Sequence, residues 1–251
     1  MSGCRLEACE ISKSFGGVMA VDNVSFTAEE GSITGIVGPN GAGKTTLFNL
    51  FTGVYTAYHG QLAVGGAAVP RGAWQPHRIA GLGVARTFQS ARVFPNLSVF
   101  DNVLLGAETA RVPAGEKRKR RSAAELGAEV TALLTALDLS ERARDAAGTL
   151  PAGSQKVVEL ARVLLARPKV LLLDEPASGL SESETARLAD TLVAVRGLGI
   201  TVVLVDHNLR LVMGICDQVV VMDAGRVIAA GDPAAVQADP AVRAAYLGTA
   251  E

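Results

Sequence analysis

Eight consecutive residues, Gly38-Pro39-Asn40-Gly41-Ala42-Gly43-Lys44-Thr45, fit the spacing G-x-x-x-x-G-K-[ST]. That spacing suits a phosphate ligand for a direct physical reason. Glycines let successive backbone N–H groups converge on phosphate oxygens, and a helix starting at the lysine adds its positive end. Lys44 brings a flexible point charge to the β- and γ-phosphates, and the Thr45 hydroxyl is placed to coordinate Mg2+. The candidate nucleotide contacts are therefore Asn40, Gly41, Ala42, Gly43, Lys44, Thr45 and Thr46. The flanks agree, since Ser32–Val37 reads as a buried strand and Lys44–Thr52 has helical spacing. A glycine-rich turn that matched by accident would have no need of that strand–loop–helix context.

A second cluster ends the apolar run Val170-Leu171-Leu172-Leu173 with Asp174-Glu175. A strand that finishes in two carboxylates delivers them to the C-terminal edge of a sheet, where open α/β folds bind ligands. Asp174 is expected to hold Mg2+, directly or through water. Glu175 is the candidate general base that orients an attacking water. Alone this pair says little, because helix N-termini favour acids in any case. Beside a phosphate loop it points to nucleotide hydrolysis.

The elements that must position these groups can be read from hydrophobic patterning. Leu6–Ile11, Val18–Val21 and Val24–Thr27 are short β-rich runs, and Thr201–Val205, like Val170–Leu173, is continuously apolar, as strands of parallel sheets are. Gln218–Met222 and Arg226–Ala230 flank Asp223-Ala224-Gly225, a hairpin signal. Between about Arg92 and Arg167 the chain becomes rich in Ala, Leu, Glu and Arg, with helical periodicity at Ala123–Leu139 and Gln155–Arg167. Two short helices close the chain at Pro233–Ala238 and Pro240–Leu247. The pattern is α/β, with a helical block inserted between two halves of a nucleotide-binding fold.

Composition bounds the partners. In 251 residues, 24 basic and 25 acidic side chains nearly cancel, which gives no electrostatic reason for nucleic acid to bind. Aromatics at 4% leave few stacking platforms for bases. The polar stretch Arg111–Arg121 reads as a solvated loop, with acidic lipid headgroups a sharper alternative. Cys4, Cys9 and Cys216, odd in number and without a CxxC pair, read as reduced thiols. The N-terminus carries charges where a signal peptide needs an apolar run, and no run approaches the ~20 residues that span a bilayer, so the chain is not expected to cross a membrane itself. His59 and His77 lie in polar, loop-like stretches and read as surface residues.

Taken in order along the chain, these motifs resemble those of the ABC family of ATPases from end to end. In SKSFGG, Phe15 matches the aromatic that stacks on adenine; Ser14, Gly16 and Gly17 around it favour a loop over a core strand position. Gln89, in ARTFQ, matches the glutamine that touches Mg2+ and the attacking water, and His207, in LVDHN, matches the switch histidine that bonds the γ-phosphate. Leu150-Pro151-Ala152-Gly153-Ser154-Gln155 stands where the family's signature loop stands, so Gly153 would contact ATP held by a partner subunit. Two departures bear on that shared site: Pro151 replaces a serine, and Ser181 replaces the usual aspartate or asparagine.

The resemblance implies a RecA-like P-loop core with an antiparallel β-subdomain and an inserted α-helical subdomain, forming one ATPase domain over 1–251. About 1–90 and 168–251 would be the core with the β-subdomain, and about 91–167 the helical part. It implies ATP and Mg2+, Glu175, His207 and Gln89 in catalysis, and Thr45, Gln89 and Asp174 on the metal. It also implies a second ATPase subunit (a heterodimer, with a homodimer as the alternative), transmembrane permeases, indirectly a substrate-binding protein, and a peripheral place on the cytoplasmic face of the membrane. A narrower resemblance, carried by ARTFQSARVFPNLSVFDNVLLG, EPASGL, DHNLRLVMGICDQVVVMDAGRVIAAGDP and DPAVRAAYLG, is to ATPases of bacterial branched-chain amino acid uptake. Non-transport relatives in DNA repair or translation usually carry a long coiled-coil insertion or two ATPase units, and neither is visible. A regulatory module that no longer hydrolyses ATP would have no use for Glu175 and His207.

Overall fold

The computed structural model describes residues 5–68, 74–88, 90–109 and 121–247. In chain order, strands β1 (Leu6–Phe15), β2 (Val18–Ala28) and β3 (Ile33–Val37) lead into helix α1 (Lys44–Phe51). Then come β4 (His59–Val64), β5 (Ala67–Ala68), α2 (Pro76–Gly81) and β6 (Val84–Arg86). The helical block contains α3 (Val99–Leu104), α4 (Gly106–Thr109), α5 (Ala123–Ala136) and α6 (Ala152–Leu165). The chain returns through β7 (Val170–Asp174), α7 (Glu182–Gly197), β8 (Thr201–Val205), α8 (Leu209–Ile215), β9 (Gln218–Asp223), β10 (Arg226–Gly231), α9 (Pro233–Ala238) and α10 (Pro240–Leu247).

Two sheets result. One is antiparallel, ordered β2-β1-β4-β5; the other is ordered β10-β9-β3-β8-β7-β6, parallel throughout except for the β9–β10 hairpin. The parallel strands β3, β7 and β8 are buried at every position, as their unbroken apolar runs predict. Alternation then assigns their side chains to two faces. Ile36, Val170, Leu172, Val203 and Val205 pack with α1 and the antiparallel sheet, whereas Ile33, Val37, Leu171, Leu173, Val202 and Leu204 pack under α7 and α8. Each such side chain contributes ~1.5–3 kcal/mol on leaving water. A third core, including Val103, Val130, Leu134, Val158 and Leu165, holds the helical block together.

Several boundaries differ from the sequence reading. The two opening runs 18–21 and 24–27 are one strand, β2, which absorbs a bulge at Asn23 with φ +52°. β1 runs to Phe15, so that residue ends a strand and is not part of a loop, although the turn at Gly16-Gly17 follows at once. α6 begins at Ala152 and not Gln155, because Pro151, with its φ fixed near the helical value, serves as N-cap. His59 opens β4 and His77 lies in α2, so neither is in a loop, yet both are exposed. Of the polar stretch 111–121 only Arg121 is among the described residues, and it is paired with Glu129 at 2.6 Å. Cys9 and Cys216 are free thiols; burial pushes the Cys216 pKa up to about 12. Cys4 lies outside the described residues.

Candidate active site

Because β3, β6, β7 and β8 run parallel, their C-terminal ends share one edge of the sheet, and the loops that leave them face a common cleft. The loop after β3 is Gly38–Gly43. Gly38 and Gly43 have no room for a side chain: a Cβ would meet the Met222 carbonyl at the first and the Ala20 carbonyl at the second. Gly43, at φ +96°, caps α1 without any side-chain bond, and the first turn carries no acid. The first N–H groups of α1 therefore point out of the helix unsatisfied by a cap, as a phosphate site requires. Asn40, Gly41 and Thr45 are exposed there, Thr46 is half-buried, and Ala42 packs inward.

Lys44 is 7% exposed and donates to the carbonyls of Gly38 at 2.7 Å and Pro39 at 2.9 Å. Burial lowers its pKa, and the Glu175 carboxylate opposes that shift. The cation is thus folded onto its own loop, close enough to Glu175 to feel its charge.

At the end of β7 the two carboxylates take different surroundings. Asp174 is buried and accepts from Arg86 Nη2 at 2.6 Å through Oδ2. Arg86 in turn donates to Asn49 Oδ1 (2.7 Å) and Thr52 Oγ1 (3.2 Å) on the α1 side, while its Nε is buried without a hydrogen-bond partner among the described residues. Glu175 has φ +48°, a conformation side-chain-bearing residues seldom adopt, and its N–H donates to Val205 O at 2.8 Å. Its Oε1 lies 3.2 Å from Nε2 of His207, which follows β8 and is half-exposed. Buried Asp206 locks the two loops together by accepting from Ala177 N (2.9 Å) and Asn208 N (2.8 Å). The arrangement can offer N–H donors and an ammonium to phosphate and a shielded carboxylate to water.

Phe15 stands at the rim, 40% exposed, its ring in edge contact with Tyr55 at 5.0 Å and under Lys13 Nζ at 4.7 Å. It is not a core residue, and an exposed ring face is what a planar base needs. Gln89 lies outside the described residues. Its neighbours Phe88 and Arg92 donate backbone hydrogen bonds to the buried carboxylate of Glu159 on α6, whose pKa burial raises.

The loop 150–155 lies elsewhere, at the start of α6. That helix has no side-chain cap and no acid in its first turn. Gly153 is buried against Leu180, where a Cβ would come within 2.6 Å of Cδ2. Ser181 caps α7 in a reciprocal box with Glu184: Glu184 N donates to Ser181 Oγ at 3.3 Å, and Ser181 N donates to Glu184 Oε2 at 2.8 Å. Aspartate and asparagine make the same kind of cap, so serine here keeps the local helix start. Sequence reasoning missed Arg86, Lys156, Glu159 and Asp206. The signal that could have found Arg86 and Glu159 is a charge inside an otherwise apolar run (GVAR, VVELA).

Fold and site together define a nucleotide-binding P-loop protein. The ABC transporter family profile matches residues 21–178, and the branched-chain amino acid ATP-binding cassette transporter profile matches 226–251. The chain is 38% identical to the high-affinity branched-chain amino acid transport ATP-binding protein BraF of Pseudomonas aeruginosa across 100% of both chains. It is 36% identical to the corresponding LivG protein of Escherichia coli over 94% of each. The ADP conformation of MJ1267, an ATP-binding cassette of an ABC transporter, superposes with TM-score 0.83 at 30% identity, covering 99% of each chain. The chain belongs to the ABC transporter family of ATP-binding subunits. It binds and hydrolyses ATP, and such subunits dimerise and act with transmembrane permeases. No helix among the described residues is long and apolar enough to cross a membrane.

Proposed function

We propose that this ATPase energises import of branched-chain amino acids or closely related small solutes. The match of residues 226–251 to the branched-chain cassette profile carries the reading, because that segment lies outside the 21–178 region common to the wider family. We take 1–251 as one ATPase unit that pairs with a second, similar ATPase on the cytoplasmic face of the membrane, beneath two permeases served by a substrate-binding protein.

In its own cleft the chain does the following. Lys44 exchanges the carbonyls of Gly38 and Pro39 for the β- and γ-phosphates, which a point charge on a flexible stem can do without moving backbone. The N–H groups from Asn40 to Thr46 complete the cradle, and the adenine lies on the exposed ring of Phe15. Glu175 orients the attacking water and takes its proton at the carboxylate, with His207 beside it bonding the γ-phosphate and Gln89 reaching the same water. Thr45, Asp174 and Gln89 would hold Mg2+, and all offer oxygen, the donor a hard cation takes. Bound with the nucleotide, Mg2+ neutralises charge on the β- and γ-phosphate oxygens. At the far end, the uncapped start of α6 around Gly153 offers N–H donors to the partner's ATP in place of the hydroxyl that Pro151 lacks.

The test is uptake. Cells deleted for this chain should lose accumulation of labelled leucine, isoleucine and valine, and the wild-type chain should restore it while Lys44→Ala does not. Normal branched-chain uptake in the deleted cells, with another solute's uptake abolished, would refute the substrate assignment.

A further inference from the structure

The turn that carries Glu175 is held from a direction the catalytic motif does not reveal. Its positive φ is a conformation that a side-chain-bearing residue keeps only when its surroundings over-determine it. Three backbone contacts contribute: Glu175 N to Val205 O, Ser178 N to Glu175 O, and Ala177 N to the Asp206 carboxylate. A fourth support comes from the helical block. Lys156, one turn into α6, donates through Nζ to Glu175 O at 2.9 Å and to Ser178 O at 2.7 Å. One ammonium thus spans both ends of the four-residue turn. The side chain is half-buried beside Pro176 and Leu180; burial lowers its pKa, and the carboxylates of Asp206, Glu175, Glu159 and Asp174 oppose that shift.

We propose that Lys156 is a positioning residue for hydrolysis, fixing the Glu175 carboxylate through the turn 175–178 from the helix that the 150–155 loop begins. The segment offered to the partner's ATP and the base of this chain's own site are then joined through a single side chain. An ammonium is suited to the task because its donors rotate freely onto two converging carbonyls, whereas a neutral amide can serve only part of that demand. The inference rests on Glu175 acting as the base.

The experiment uses the full-length chain assembled with its transporter subunits, with Lys156→Met, Lys156→Gln, Glu175→Gln and Lys156→Met/Glu175→Gln compared. Lys156→Met should lower kcat by roughly ten- to a hundredfold, the rate equivalent of one charge-assisted hydrogen bond lost in the transition state. KM for ATP and the affinity for ATP should stay within about twofold, because the phosphate cradle is untouched. Lys156→Gln should recover part of the loss. In the Glu175→Gln background the added Lys156→Met should cause no further loss of single-turnover hydrolysis, since the lysine acts through that glutamate. An unchanged kcat in Lys156→Met overturns the proposal, as do losses that multiply in the double variant, or kcat and KM moving together without rescue by glutamine. If the methionine variant does not fold, Lys156→Gln decides alone: a reduced kcat at constant KM supports the proposal, and a wild-type kcat overturns it. Full hydrolysis by Glu175→Gln alone is a separate result that removes the base assignment and this inference with it.

Discussion

Lys44 holds two loop carbonyls where the cleft gathers its N–H donors, so the cation is pre-placed within the cradle. If Lys44 serves phosphate as proposed, replacing it with alanine removes a charge-assisted contact worth ~1.5–3 kcal/mol. Calorimetric titration of Lys44→Ala should show ATP affinity at least tenfold weaker, and turnover should largely vanish; an unchanged turnover number would end the phosphate-loop assignment. In the proposed function Phe15 acts on the other end of the nucleotide. Its exposure predicts that Phe15→Ala leaves thermal stability almost unchanged but costs ~1–3 kcal/mol of nucleotide affinity, the range for aromatic–base stacking. The loss should be equal for ATP and ADP, which share the adenine. A fall in stability with normal affinity would make the ring a packing residue instead.

Among the elements, those bearing the site announce themselves locally. β3, β7 and β8 are continuous apolar runs, and the loop after β3 is written in glycines, of which Gly38 and Gly43 approach Met222 and Ala20 too closely for a side chain. α7 is harder to see, because only Leu188, Leu192 and Val195 of its sixteen residues are buried and its apolar stripe is correspondingly narrow. The contacts that tune the site were not legible for a different reason: Arg86 and Asp174 are 88 positions apart, and nothing in either neighbourhood names the other. Lys156 and the carbonyls it serves present the same difficulty. Ser181 shows what a departure from a family pattern can mean locally. As the cap of α7 it should be worth about 0.5–2 kcal/mol, so Ser181→Ala should lower the thermal midpoint while Ser181→Asp holds it. Equal midpoints for all three chains would show that the capping box contributes nothing.

At the scale of the molecule, the parallel sheet lies between two cores and brings three loops to one edge, while the helical block packs around its own core and reaches the site through α6. In the proposed function ATP sits on the loop after β3 and the carboxylate that orients water comes from the end of β7, so binding and chemistry would rest on different strands. Glu175→Gln probes that separation, because it keeps the shape of the side chain and removes only the base. Measured side by side in the assembled transporter, the variant should bind MgATP with affinity within about twofold of wild type while hydrolysis falls by ~10²–10⁴-fold. Hydrolysis at the wild-type rate, or loss of ATP binding along with it, would show that Glu175 does not serve chemistry separately from nucleotide binding.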